Sequence, residues 1–465
     1  MADKREVIII GGGPGGYVAA LRAGQLNKKV LLIEEDRVGG TCMNYGCIPT
    51  KYLLHQTGLL RQVRTSKVLT GPKDQVGCDW GLVQAHKQKV VDRLVRGVEF
   101  LLPKSGVELK KGRATLLNDR QVKVHVGDEE TVYEAEKVLL ASGSRPAELP
   151  FLKADGRKVV TSREALEWTD MPRSLLVIGA GAIGLEMATI YSRMGVPVVV
   201  LEMMPTVLPG SDKEMSARME RILKQQGIKV FTMMRIETAE VQDGAVKLGG
   251  TCLSDQKPFS FEADKALLAV GRRPNSDTFQ ECGAVVPVGR GGFVEVNAGL
   301  ETKVPGIYAI GDLIGGKLLA HKASHEGLAA AENIAGGHET VNDAAMPMAV
   351  FTEPEFASVG VTEEEAKEQG ISYRAGTFSL QASGRALTMD SPEGLVKVIA
   401  GPGDKIIGGH IIGPGASDWI SELTLAVDRG LKLRDVFGSV HIHPTLSESV
   451  MEAALKAAGR PLSAL

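Results

Sequence analysis

The chain has 465 residues, more than one hydrophobic core ordinarily serves, so two to four domains are expected. With 43% hydrophobic and 24% charged residues and a formal net charge of -2, it has no broad electrostatic attraction to nucleic acid or to an anionic membrane. No run approaches the roughly 20 apolar residues of a membrane span, and the apolar stretch at 7–10 is too short for a signal-peptide core, so a cytoplasmic location is expected.

In chain order, residues 6–10 read as a buried parallel strand that stops at Gly11, Gly12, Gly13, Pro14, Gly15 and Gly16. A run of helix formers follows at 17–23, and a second strand at 29–33 ends at Glu34, completing a βαβ unit. The same grammar recurs: a strand at 174–178, then Gly179, Ala180, Gly181, Ala182, Ile183 and Gly184, a helix through Arg193, and a strand at 197–201 ending at Glu202. The interval from residue 11 to 34 equals that from 179 to 202. In each Gly-x-Gly-x-x-Gly the first glycine permits a tight turn, the second admits a pyrophosphate, and the third lets helix pack on strand. One such pattern is weak, because a glycine-rich turn explains it equally well; two in matched context are much stronger. Glu34 and Glu202 suit ribose hydroxyls, and Met203, Met204 and Pro205 bring no basic residue for a 2′-phosphate, so NAD is favoured over NADP. The bland alternative is a solvated glutamate at a strand end.

Between the two units, residues 122–138 suggest an antiparallel meander, and 137–141 a buried strand leading into Ser142, Gly143, Ser144, Arg145 and Pro146. A matching strand at 265–270 leads into Gly271, Arg272, Arg273, Pro274 and Asn275, and both exits read as crossings between domains. After about residue 346 the fingerprints stop. Strand-like segments near Ala349, Gly394 and Ile406 then mix with helices at Glu363 and Ala416, as in a separate α+β domain.

The five cysteines, at 42, 47, 78, 252 and 282, form an odd, sparse set unlike a secreted disulfide framework. The pair Cys42 and Cys47 lies within Gly39–Lys51. Helix geometry separates Cα atoms five apart by roughly 8.6 Å, beyond disulfide reach, so bonding requires a distortion that Gly46 permits. Two buried thiols remain an alternative. A metal site is a poor reading, since no second Cys/His pair of ligand spacing accompanies the cysteines.

The segment from Gly39 to Lys51 closely resembles the redox-active stretch of the class I pyridine nucleotide-disulfide oxidoreductases. The likeness spans the chain through both fingerprints, the two Gly-x-Arg exits, Tyr308, Ala309, Ile310, Gly311 and Asp312, and the run His441, Ile442, His443, Pro444, Thr445, Leu446, Ser447 and Glu448. The resemblance implies an α/β chain with two Rossmann-like dinucleotide-binding domains plus a C-terminal α+β dimerisation domain. The expected divisions are 1–148 with FAD and the redox disulfide, 149–271 with NAD, 272–345 returning to the FAD domain, and 346–465 forming the interface. It implies Cys42 as the thiol that meets substrate, Cys47 as the thiol beside the flavin, and Asp312 on the flavin's sugar chain. Lys51 and Glu186 resemble an ion pair near the ring; an exposed lysine and a helix glutamate are their bland reading. His443 is the implied general base, with Glu448 orienting it. A Ser/Thr-x-x-Glu capping box from Thr445 to Glu448 competes for Glu448, and His441 competes with His443. Met43 and Tyr45 depart from the smaller residues usual in the family.

The cofactor-binding set is therefore Gly11, Gly13, Gly16, Glu34, Lys51, Gly143 and Asp312, with Gly179, Gly181, Gly184, Glu186, Glu202 and Gly271 in the second half. The implied reaction is oxidation of dihydrolipoamide to lipoamide with NAD, on the lipoyl domain of a 2-oxo acid dehydrogenase or glycine-cleavage complex. The functional unit is expected to be a homodimer. The alternatives are an NAD(P)H-dependent reductase of another small disulfide, and a flavoprotein with a mainly docking role.

Overall fold

The β-branched run at residues 7–10 is buried on both faces, which only a sheet covered on both sides allows. The computed structural model describes residues 3–242, 244–277 and 286–463, so Cys282 and the last two residues of the tail, Ala464 and Leu465, lie outside the described residues. Two compact units are formed from interleaved segments.

The first unit comprises Met1–Tyr52, Asp79–Ala147 and Gly271–Val341. Its seven-stranded sheet has a parallel part built from Val107–Lys111, Val30–Glu34, Asp3–Ile10, Glu129–Leu140 and Ile307–Ala309. Glu129–Leu140 is one continuous strand with divided neighbours. Along one edge it pairs with Asp3–Ile10 from Tyr133 to Leu140, while along the other it pairs first with Gln121–Val126, antiparallel, and then with Ile307–Ala309. The meander and the buried strand expected at 137–141 thus share a single element. One face of the sheet, with Val7, Ile9 and Leu32, packs on Ala19, Ala20 and Ala23 of helix Pro14–Gln25, on Val91 and Val95 of helix Trp80–Lys104, and on Ala330 of helix Ala320–Ile334. Small residues let two of these helices meet backbone to backbone: a Cβ on Gly327 would lie 2.4 Å from the Gly15 carbonyl oxygen. The two Gly-x-Arg exits pair with each other as an antiparallel ribbon, Ser144–Pro146 with Arg272–Pro274.

The second unit comprises Leu53–Cys78, Glu148–Val270 and Asn342–Leu465. It holds a five-stranded parallel sheet in the order Lys229–Phe231, Val198–Leu201, Leu175–Ile178, Lys265–Leu268 and Val159–Val160, beside a three-stranded antiparallel meander. A second five-stranded sheet, antiparallel, runs Met348–Val350, Glu355–Gly360, Ile406–Gly413, Leu395–Ala400 and Arg374–Ser379. Helices Ala416–Arg429 and Glu448–Ala457 cover its apolar side through Ile420, Leu423, Val450 and Ala453. No helix among the described residues is long and apolar enough to cross a membrane.

Candidate active site

The two fingerprint loops are built to one plan. Gly11 and Gly179 take φ of +102° and +104°, and a Cβ on them would lie 2.3 and 2.4 Å from the carbonyl oxygens of Ala141 and Ala269. A Cβ on Gly16 or Gly184 would lie 1.8 or 2.0 Å from the carbonyl of the loop's own first glycine. Gly13 and Gly181 differ, since a Cβ there would meet nothing within 4 Å. Each is the N-cap of its helix, Pro14–Gln25 or Ala182–Arg193, and neither helix has a side-chain cap. An uncapped helix N-terminus with open space above a glycine gives a pyrophosphate the donors and the room it needs, so both loops fit a dinucleotide.

The acids brace these loops. Glu34 Oε2 accepts from Gly12 N at 2.7 Å and its Oε1 from Asp36 N at 2.9 Å. Glu202 Oε2 accepts from Ala180 N at 2.7 Å and its Oε1 from Met204 N at 2.8 Å. Burial lifts the Glu34 carboxyl above its ordinary value, and the Asp36 and Gly12 amides partly oppose the rise. A carboxylate offers about four lone-pair sites and the bracing uses two, which leaves acceptors for ribose hydroxyls. The solvated-glutamate alternative does not describe Glu202, which is buried.

Gly46 interrupts what would otherwise be one helix from residue 40 to 65. It adopts φ -142° and ψ -109° between helices Gly40–Tyr45 and Cys47–Thr65. A Cβ there would come 2.9 Å from the Thr41 carbonyl oxygen, and the Gly46 carbonyl accepts from Thr50 N at 3.0 Å to start the second helix. Across this break Cys42 and Cys47 are thiols in hydrogen-bonding contact. The Cys47 sulfur first, then burial, push the Cys42 thiol far up, while Lys51 pulls it down. Two thiolates side by side repel, which is why Cys42 is the thiol that holds its proton in the reduced pair. Met43 is buried, and the Tyr45 hydroxyl donates to Asp36 Oδ2.

Asp312 sits on the turn Gly311–Ile314 and accepts from the Ser144 hydroxyl. Arg272 reaches the same group, with Nε 2.6 Å from Ser144 Oγ and 3.5 Å from Asp312 Oδ2. Burial lowers the Arg272 pKa, opposed by the charges of Asp312 and Cys47. Ser144, Arg272 and Tyr17, whose phenol burial and then Cys42 push up, were not singled out from sequence. Their signal lay in the Gly-x-Arg exits and in the residue just after the first fingerprint. Gly143 and Gly271, at φ of +68° and +117°, leave open space where a Cβ would stand.

In the second unit Glu186 is buried, not an exposed helix glutamate, and its Oε1 accepts from Phe351 N at 3.0 Å. His443 Nδ1 lies 2.9 Å from Glu448 Oε1, and Glu448 Oε2 accepts from Thr445 N at 2.8 Å. The Thr445 amide first, then the His443 bond, hold the Glu448 carboxyl below its ordinary value against burial. The capping box is only half formed. The helix starts at Glu448 with Ser447 as N-cap, and the Thr445 hydroxyl turns away to donate to the Ile442 carbonyl at 2.7 Å. The competing histidine is otherwise occupied: the His441 side chain is 7% exposed and bonded to Glu422 at 2.9 Å, whereas that of His443 is 80% exposed.

Each unit carries one glycine loop of dinucleotide type, the first unit also carries the Cys42/Cys47 dithiol, and the chain belongs to the pyridine nucleotide-disulphide oxidoreductase family. The family's model matches residues 5–327, and its dimerisation-domain model matches residues 346–454. The chain is 41% identical to a dihydrolipoyl dehydrogenase of Geobacillus stearothermophilus, over 99% of this chain and 98% of that protein. It is 38% identical to mitochondrial dihydrolipoyl dehydrogenase 1 of Arabidopsis thaliana, over 99% and 92%. Among solved structures it is similar to LpdA of Mycobacterium tuberculosis, with TM-score 0.87 and 27% identity over 98% of this chain and 99% of that one. It is also similar to the HOCl-induced flavoprotein disulfide reductase RclA of Escherichia coli, solved as a Cu(II) complex, with TM-score 0.85 and 25% identity over 97% and 99%.

Proposed function

We propose that this chain oxidises dihydrolipoamide to lipoamide, with FAD as resident cofactor and NAD as acceptor. The observation that carries the reading is the Cys42/Cys47 pair across the Gly46 break, in a chain similar along its length to dihydrolipoyl dehydrogenases. FAD is assigned to Gly11, Gly13, Gly16, Glu34, Gly143 and Asp312, with Lys51 and Glu186 near its ring. NAD is assigned to Gly179, Gly181, Gly184, Glu202 and Gly271. When bound, FAD supplies the two-electron link between a dithiol and the nicotinamide.

The protein's own groups handle sulfur and protons. His443 takes the proton of a substrate thiol at Nε2 while Glu448 holds its Nδ1 and stabilises the imidazolium. The substrate thiolate attacks Cys42 of the oxidised pair, and Cys47 leaves as a thiolate. The second substrate thiol then closes the lipoamide ring and expels Cys42, whose raised pKa returns it to the protonated form. Two electrons thus rest on the pair, with the charge on Cys47.

The domain assignment is 1–148 for FAD, 149–271 for NAD, 272–345 returning to the FAD domain and 346–465 for the interface. His443 completes the site of a partner subunit in a homodimer. Val440 and Ile442, beside it, are 99% and 78% exposed in the single chain and suit burial against a second copy. The lipoyl domain of a 2-oxo acid dehydrogenase or glycine-cleavage complex is the natural carrier of the substrate, and the location is cytoplasmic.

The test is anaerobic mixing of the flavin-loaded protein with dihydrolipoamide and then NAD. NADH formed in proportion to dithiol consumed is expected. Absence of NADH, together with oxidation of NADPH by another small disulfide, would replace this reading with the reductase.

A further inference from the structure

Helix Ala320–Ile334 contains Lys322 and, four residues on, Glu326, the reverse of the Glu-before-Lys order that favours a helix. The two form an ion pair with side chains only 3% and 2% exposed. Withdrawing two charges from water is costly, and an apolar pair of similar size often serves a core as well or better, so packing alone does not account for them. Each makes a further bond to the same turn. Glu326 Oε2 accepts from Gly311 N at 2.7 Å, and Lys322 Nζ donates to the Gly315 carbonyl at 3.1 Å. These backbone groups bracket the turn Gly311–Ile314 that carries Asp312, and both glycines have positive φ, +73° and +81°, where the chain has least stiffness of its own. The same helix also abuts the first fingerprint, since a Cβ on Gly15 would lie 2.9 Å from the Ala323 carbonyl oxygen.

We propose that Lys322 and Glu326 are positioning residues for FAD. Their buried pair clamps the Gly311–Gly315 turn at both ends and holds Asp312 at a set offset from the Gly11–Gly16 loop. The inference rests on the assignment of Asp312 and that loop to the flavin.

The test follows FAD release from holoprotein after dilution, read as the rise in free-flavin fluorescence, with thermal melts alongside. Lys322→Met/Glu326→Met leaves no unpaired charge and is expected to melt near wild type yet release FAD roughly tenfold faster. Lys322→Met/Glu326→Gln keeps a neutral acceptor for Gly311 N but loses the Gly315 end, so it should release FAD at a rate between those of wild type and the double methionine variant; a wild-type rate would remove Lys322 from the clamp. Wild-type release from the double methionine variant overturns the proposal. Should that variant not accumulate, Glu326→Asp decides, because it keeps the charge but withdraws the carboxylate by one methylene. Faster release supports the clamp and an unchanged rate overturns it. Asp312→Asn separates the two levels. If it retains FAD like wild type, the flavin assignment itself fails and the clamp with it; fast release from Asp312→Asn beside slow release from the double methionine variant sinks the clamp alone.

Discussion

Glu448 divides its carboxylate between two duties, giving one oxygen to His443 Nδ1 at 2.9 Å and the other to Thr445 N at 2.8 Å. Glu448→Gln can keep an acceptor for one partner but cannot balance an imidazolium. It is expected to lower kcat by about tenfold or more with little change in the thermal melt, while His443→Gln loses about 10²–10⁴-fold. Steady-state kinetics with dihydrolipoamide and NAD measure both. Equal, small effects would remove His443 from the role of base.

Glycines in the fingerprints separate phosphate contact from packing. Gly13→Ala and Gly181→Ala place a methyl in open space, so stability should stay within about 0.5 kcal/mol of wild type. FAD retention is expected to fall in the first and NAD affinity in the second. Gly16→Ala and Gly184→Ala drive a methyl into a backbone carbonyl and should impair folding. Unchanged cofactor binding in Gly13→Ala and Gly181→Ala would move the pyrophosphates elsewhere.

The raised Cys42 pKa has a sign that alkylation can read. Because the Cys47 sulfur is its largest cause, Cys47→Ser should lower the pH at which Cys42 in the reduced protein begins to react with iodoacetamide. Peptide mass spectrometry across a pH series tests this. A Cys42 profile identical in both proteins would mean that burial, not Cys47, controls it.

Lys397 and Asp212 are each 1% exposed, and Lys397 also meets Glu214 and Glu363 at 2.8 and 2.6 Å. Against burial, the carboxylates raise the lysine and the lysine lowers Asp212 and Glu363. The depressed carboxylates add stability above their unfolded pKa that disappears as pH falls through the folded values. The lysine's share is present below its unfolded pKa and disappears as pH rises through its higher folded value. Lys397→Met strands a buried Asp212 and is expected to cost about 3–5 kcal/mol at neutral pH, with Lys397→Met/Asp212→Asn recovering part of it. Urea melts across pH check this. A single variant as stable as the double would deny the pairing.

What sequence made legible was local. The fingerprints and the Cys42 to Lys51 segment declare themselves because a strand, a glycine turn and a helix start within a few residues. The second five-stranded sheet was visible only as separate strands, because its order joins Glu355–Gly360 to Ile406–Gly413, partners far apart in the chain. Lys322 and Glu326 carried no signal of their own, since nothing in a single sequence marks that helix face as buried. Thr445 and Glu448 matched a capping box, but the Thr445 hydroxyl is turned to donate to the Ile442 carbonyl.

Strand Glu129–Leu140 ends immediately before Ala141, whose carbonyl blocks a side chain at Gly11, and before Gly143 and Ser144. Its registration is set partly by the hairpin with Gln121–Val126. A one-residue deletion inside the strand would exchange its inward and outward faces and drag the loop at Gly143 and Ser144 out of phase, whereas extra residues at Gly127 and Asp128 would merely enlarge a turn. Tolerance to length change in this hairpin is therefore a property of phase, not of distance from the cofactor.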